Sequence, residues 1–537
     1  MASLERQLIR MELAQRREEG CDVAALESRI QEALANEAAD ADVFVELYDR
    51  LAALEPAASF PYQEPSDLEG IRALRPDGPR RMGLDLGEDA LRDRIYGAWL
   101  GRAAGCSLGK PVEGWPRQRI DDYLESSGAL PLDDYIPYTE GSISPYLKTS
   151  TRDNIEFMAR DDDMDYPILG LLALEQHGSD LTSRGMANTW LSRMPFQMVY
   201  TAESAAYRNF VNRRWPPESA HWRNPFREWI GAQIRADVFG YVTPGWPEKA
   251  AELAFRDASI SHVKNGIYGE MFVAAMLAAS FVTRDVEEIV ETGLSEIPAN
   301  CRLAEAVRET AAWCREFPDW ESVWDRISAT YGHYHTVHTI NNAALVVMGL
   351  FFGATSYESG IVATVRGGWD TDCNGATAGS VLGARLGAGA LPEKWTRVLG
   401  DRLLSCVRDC NDNRISELAE RTHRVAARIL SEPLEAGSGE ASPEGSSGVF
   451  PGKWTLNLPW GALVLALDDD GSARIESSAS GESTEIRDFR VDANEVSFVF
   501  EAMQADVEFH GTVTGDRIAG QCSSSAGFAL DVTGARV

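Results

Sequence analysis

Two acidic clusters carry most of the chemistry legible in this chain. The first is Asp161-Asp162-Asp163, followed by Asp165 and then by an apolar run from Tyr166 to Leu174. Adjacent carboxylates repel one another by a few tenths of a kcal/mol per pair even when solvated. The triplet therefore reads in two ways. It is a well-capped helix N-terminus, since anions suit the positive end of a helix, or it is a hard-cation site, since clustered carboxylates suit Mg²⁺, Mn²⁺ or Ca²⁺. The second cluster lies in Gly367-Gly368-Trp369-Asp370-Thr371-Asp372-Cys373-Asn374-Gly375. Here an Asp-x-Asp turn directs two carboxylates to one side, and the glycines let backbone approach closely. A helix expected over Ala376 to Leu386 puts this pair, too, at a positive helix end. Together the two clusters point to a metal site.

A third feature supports them. Gly97, Gly101, Gly105 and Gly109 recur every four residues, which makes a helix face smooth enough for another helix to sit against. Glu113 follows that helix and Pro111, within reach of a cleft. Other candidates point less clearly to chemistry. His333, His335 and His338 have spacings unlike a structural zinc site, and no cysteines flank them. They read as zinc ligands, as a cleft wall with Asn341 and Asn342, or as structural histidines. Trp190, Phe196, Tyr200 and Tyr207 read as core or as a stacking wall for a base or sugar ring. No GxSxG element or phosphate-binding loop occurs.

Several of these segments resemble one family. RIYGAWLGRAAGCSLGKPVEGW resembles the opening signature of the ADP-ribosylglycohydrolases, which include the dinitrogenase-reductase-activating glycohydrolases. Asp161 to Asp163 stand where that family has its Thr-Asp-Asp-Thr motif, and Gly367 to Trp395 resembles its closing Gly-Gly-Asp-Thr-Asp-Thr, helix, Pro, Trp motif. GAQIRADVFG resembles its Gly-x-x-x-Arg turn, and Ser261-His262 its Thr-His element.

The resemblance implies an all-α orthogonal helical bundle around a two-ion centre, usually Mg²⁺, with Mn²⁺ or Ca²⁺ as alternatives, that hydrolyses a ribosyl C1″ bond. It makes Asp161, Asp162, Asp163, Asp370 and Asp372 the metal ligands, and Glu113, Asp163 and Asp370 the catalytic candidates. Glu113, His262, Trp369 and Asn374 become substrate-binding candidates. The expected activity is that of a Mg²⁺-dependent glycoside hydrolase on an ADP-ribosyl compound or a small furanoside or nucleoside; the alternative is a member that binds such a glycoside without cleaving it. The sequence departs from the family pattern at Cys106, Asp161, Met164, Cys373 and an inserted Trp369. A thiol is a poor Mg²⁺ ligand, so at Cys373 either the backbone carbonyl serves or no ligand does.

The elements that must position these groups follow from composition and period. The chain has 537 residues, 44% of them apolar, with 82 acidic and 51 basic side chains and a net charge of −31. That balance argues against a nucleic-acid backbone or an anionic lipid surface as partner. The opening MASLERQLIRMELAQRREEG lacks the apolar core of a signal peptide. Eight scattered cysteines without a CxxC pair suit a reduced cytoplasm.

Residues 1–89 read as a helical extension, a cap or an oligomer contact, and 90–432 as a predominantly α catalytic domain with long apolar segments such as Ile267 to Phe281 and Thr339 to Phe352. Residues 433–450, rich in Gly, Ser and Pro, read as a linker. Residues 451–537 carry short alternating segments between turns, as expected of a small antiparallel β barrel or sandwich, which is a second candidate oligomer surface.

Overall fold

A computed structural model describes residues 2–432 and, beyond them, the strand segments between 452 and 536; the expected linker, 433–450, lies outside the described residues. The chain divides into two compact units, Met1–Glu432 and Pro433–Val537.

The first unit is helical and is organised around one helix pair. Glu88–Gly109 runs antiparallel to Thr371–Leu386, the helix that follows the second acidic cluster. Their contact is backbone against backbone. A Cβ on Gly101 would stand 2.2 Å from the Gly379 carbonyl oxygen, and one on Gly105 would stand 1.9 Å from that of Gly375. Reciprocally, a Cβ on Gly383 would stand 2.1 Å from the Gly97 carbonyl oxygen. No side chain fits there, so the four-residue glycine repeat of one helix is matched by Gly375, Gly379 and Gly383 of the other. The antiparallel register has a functional consequence. It brings Gly109 against Thr371, so the start of the closing helix lies beside Lys110 to Glu113.

A third helix, Asp162–His177, is tied to this pair through the buried Arg102. Arg102 Nε donates to the Asp163 carbonyl oxygen at 2.9 Å, and its guanidinium also reaches the carboxylates of Asp163 (3.2 Å) and Asp237 (2.7 Å). The apolar segments expected to be core helices are Asn265–Ser280, in which every residue is buried, and Thr339–Phe352.

The N-terminal segment forms helices Ala2–Glu18, Ala24–Ala35, Ala41–Ala52 and Leu68–Leu74. The apolar residues Leu8, Ile9, Ile30, Phe44 and Leu51 cluster with Ala202, Phe226 and Trp229 of the body. Buried ion pairs accompany them. Arg227 holds Glu12 and Glu19, and Arg302 holds Glu64 and Glu228. Much of the extension's apolar face is thus covered by its own chain. No helix among the described residues is long and apolar enough to cross a membrane.

Among its described residues, the second unit forms a nine-stranded antiparallel sheet. In spatial order its strands are Ser483–Glu485, Ala473–Ser477, Gly461–Leu467, Gly452–Leu458, Ala529–Arg536, Arg517–Ser524, Ala505–Thr514, Glu495–Ala502 and Arg487–Asp492. The expected hairpin between Val496–Phe500 and Val507–Val513 is present, with Phe498 opposite Phe509. Alternation puts Trp454, Leu456, Leu465, Phe498, Phe509 and Ile518 on one face as the unit's core.

Candidate metal centre

The helix pair and the Asp162–His177 helix each end at the same place. Asp161 is the N-cap of its helix and accepts from the Asp163 amide at 3.0 Å. Asp370 and Asp372 lie at the start of the closing helix, and Glu113 lies just beyond the end of the glycine helix. Ligand atoms of Glu113, Asp370 and Asp372 lie within 4.8 Å of one another, as do those of Asp163, Asp372 and Cys373, and those of Cys106, Asp161 and Asp163. Shared members join the three groups into one acidic wall. Glu113 forms its exposed rim, and the aspartates of these groups are buried. Asp370 Oδ1 is buried without a hydrogen-bond partner.

Few cations offset this charge. Lys110 Nζ pairs with the Asp161 carboxylate and donates to the Arg160 carbonyl oxygen at 2.7 Å. Burial opposes ionisation of Asp161, but the Lys110 ammonium holds its carboxyl below the usual range. The others shift upward. Burial and the neighbouring Asp161 push Asp372 to about 6 and Asp162 to about 8. Burial also raises Asp163, against the pull of Arg102, and raises Asp370 together with Asp372 and Glu113. Repulsion from Asp372, then the crowding of protein around it, pushes Glu113 to about 9 although its side chain reaches solvent. Carboxylates this close favour either protons or a cation between them. The carboxylate oxygens of this wall, one of them buried and unsatisfied, suit a hard divalent ion. The Cys373 thiol, raised well above its ordinary value by burial, stays neutral and adds little to such a site.

The remaining candidates fall in several places. Asp162 is half-buried at the helix start and belongs to none of the three ligand groups. Asp165 accepts from Arg160 and from the Cys406 amide, which ties down a distant loop. Asn374 donates to Asn342 Oδ1 at 2.7 Å, and the same oxygen receives the Asp370 amide at 3.4 Å. Asn342, expected only as a cleft wall, thus braces the turn that carries Asp370.

Trp369 directly precedes Asp370 and is half-buried. His262 is fully buried. Its Nδ1 pairs with Ser261 and its Nε2 lies 4.0 Å from Glu203, which Arg235 of the Gly-x-x-x-Arg turn also holds. His338 Nδ1 accepts from the Ile340 amide and His335 stacks on Trp229; none of the three histidines joins a candidate metal group among the described residues. Trp190 is core, packed by Tyr166 and Phe210. Sequence reasoning missed Arg102 and Lys110. Each stands in the opening segment, where the glycines drew the reading, and their partners come from far along the chain.

A family model described as ADP-ribosylglycohydrolase matches residues 87–430, more than half of the chain. An uncharacterized protein of Archaeoglobus fulgidus is 22% identical over 350 residues, covering 63% of this chain and 99% of that relative. A solved structure titled ADP-ribosylglycohydrolase-related protein complex is similar with a TM-score of 0.42 and 19% identity, covering 64% of this chain and 99% of its own.

Proposed function

The chain belongs to the ADP-ribosylglycohydrolase family, and from that premise we propose that it is a divalent-cation-dependent glycoside hydrolase. Its substrate class is a ribosyl-type glycoside, either an ADP-ribosyl compound or a small furanoside or nucleoside, and Mg²⁺ is the expected ion. The observation that carries this reading is the convergence of Glu113, Asp161, Asp163, Asp370 and Asp372 from three segments, with a buried Asp370 oxygen left unsatisfied.

Asp161, Asp163, Asp370 and Asp372 would hold the ion or ions. A divalent cation bound there would supply Lewis-acid polarisation and a more acidic water. The chain's own residues do the rest. Lys110 and Arg102 fix the carboxylates of Asp161 and Asp163, so the donor set is preorganised. Glu113, on the exposed rim, orients the ribose or the attacking water. Asp163 or Asp370 accepts the proton released as water adds at C1 and the C1–aglycone bond breaks, the aglycone leaving with its bonding pair and taking up a proton from solvent. Asn342 keeps Asp370 in register by receiving its amide.

The test is a product assay with Mg²⁺ on ADP-ribosyl-arginine, ADP-ribosyl-serine, nucleosides and simple furanosides. Release of the aglycone from at least one, stopped by a chelator and by Asp372→Asn, is the expected result. Binding without turnover across the whole panel would overturn the hydrolase reading in favour of a glycoside-binding protein.

A further inference from the structure

The rim of the acidic wall carries a feature that metal binding does not use. The family pattern has Gly-Gly followed directly by Asp, whereas this chain inserts Trp369 between Gly368 and Asp370. Trp369 sits at φ 64°, the left-handed region that bulky residues seldom adopt. Glycine would serve such a turn without strain. The conformation is enforced from both sides. The Trp369 amide donates to the Trp115 carbonyl oxygen at 3.1 Å, and the Gly114 amide donates to the Trp369 carbonyl oxygen at 2.8 Å. These two bonds join the segment that carries Glu113 to the one that carries Asp370.

Aromatic side chains concentrate at this join. Trp115 is two residues beyond Glu113, and Trp369 is one before Asp370. The Trp324 ring lies 6.4 Å from that of Trp369, centroid to centroid, and its Nε1 donates to the Gly367 carbonyl oxygen at 2.8 Å. The Arg117 guanidinium lies 4.7 Å from the Trp324 ring. Trp115, Trp324 and Trp369 each keep part of their surface in solvent. Strain held at the residue next to a reacting carboxylate is characteristic of functional sites.

We propose that Trp369 and Trp115, with Trp324 as the support of Trp369, form a stacking wall for a planar aglycone, so that the preferred substrates carry a flat unsaturated ring on the bond to be cleaved. The proposal rests on the ribosyl-hydrolase reading and narrows its substrate class. Stacking suits this task because every unsaturated ring offers a π face, whatever its hydrogen-bonding edge. Trp324 acts as a positioning residue and touches no substrate.

The test compares 4-nitrophenyl β-D-ribofuranoside with methyl β-D-ribofuranoside, by calorimetric binding and by cleavage, in a magnesium buffer. The wild type is expected to bind the aryl riboside at least about fivefold more tightly than the methyl one. Trp369→Leu keeps an apolar side chain but removes the π face and should bring that ratio near one, while Trp369→Phe should keep most of it. Trp115→Leu reads the same wall from the other segment, should Trp369→Leu fail to fold. A preference that is lost in the leucine variants, but without cleavage of either riboside, upholds the wall and excludes simple ribosides as substrates of the hydrolysis. Cleavage of both ribosides with equal affinity upholds hydrolysis and overturns the wall. A preference that survives in both leucine variants, or no binding of either riboside, also overturns it.

Discussion

Asp161 and Asp372 show how single partners divide one acidic wall. Lys110 keeps Asp161 ionised, while burial and the charge of Asp161 lift Asp372 to about 6 and Asp162 to about 8. A carboxylate whose folded pKa lies above its unfolded value of about 4 gives stability that is complete below that value. The contribution is lost as pH rises through the folded pKa. Lys110, Arg102 and Arg160 face the cluster but do not cancel the upward shifts of Asp162, Asp163 and Asp372. In chelator, Tm is therefore expected to fall between about pH 5 and pH 9, and the rise in Tm given by Mg²⁺ should be larger at pH 8 than at pH 6. Scanning calorimetry at the two pH values checks this, and an increment independent of pH would contradict it. Glu113 differs in kind, because it sits on the rim. Glu113→Gln should keep the Mg²⁺-dependent rise in Tm while lowering turnover at least about tenfold, the scale of one lost transition-state contact. A fully active Glu113→Gln would remove that residue from the reaction.

Helices Glu88–Gly109 and Thr371–Leu386 hold the two halves of the wall together, and their glycines leave no room for a Cβ. Gly105→Ala is expected to destabilise the fold by about 3 kcal/mol, at the upper end of overpacking, and to weaken ion binding because Asp370 and Asp372 move with the closing helix. Gly83→Ala, with open space around it, should change stability by less than about 0.5 kcal/mol. Urea melts of the two variants make the comparison, and equal stabilities would contradict the close-packed pair.

This element was legible in sequence because a four-residue glycine period has one geometric meaning. The segments Ile267 to Phe281 and Thr339 to Phe352 were legible too, since predominantly apolar stretches of that length form buried helices. Arg102 and Lys110 were not. Their carboxylate partners lie 51, 61 and 135 residues away, and no local spacing encodes a pairing that only the folded helices create. Asn342 was read as a wall and not as a brace for Asp370 on the same ground, with its partner Asn374 32 residues on.

Across the whole molecule, the helical and β units each bury an apolar core of their own. The candidate ligands Asp161, Asp163, Asp370 and Asp372, and Glu113 on their rim, all belong to Met1–Glu432. A chain ending at Glu432 should accordingly melt cooperatively and keep its Mg²⁺-dependent stabilisation; a loss of the cooperative transition would show that the β unit is needed for the helical fold. The change of texture after residue 450 announced the sheet, because period-two alternation between turns differs from helical spacing. The central claim is that four aspartates from two segments, with Glu113 at their rim, form one divalent-cation centre. Titration calorimetry of the full chain with Mg²⁺ tests it most directly. Saturable binding of about two ions, lost in Asp372→Asn, is the predicted result; a wild-type chain that shows no saturable divalent binding would contradict it.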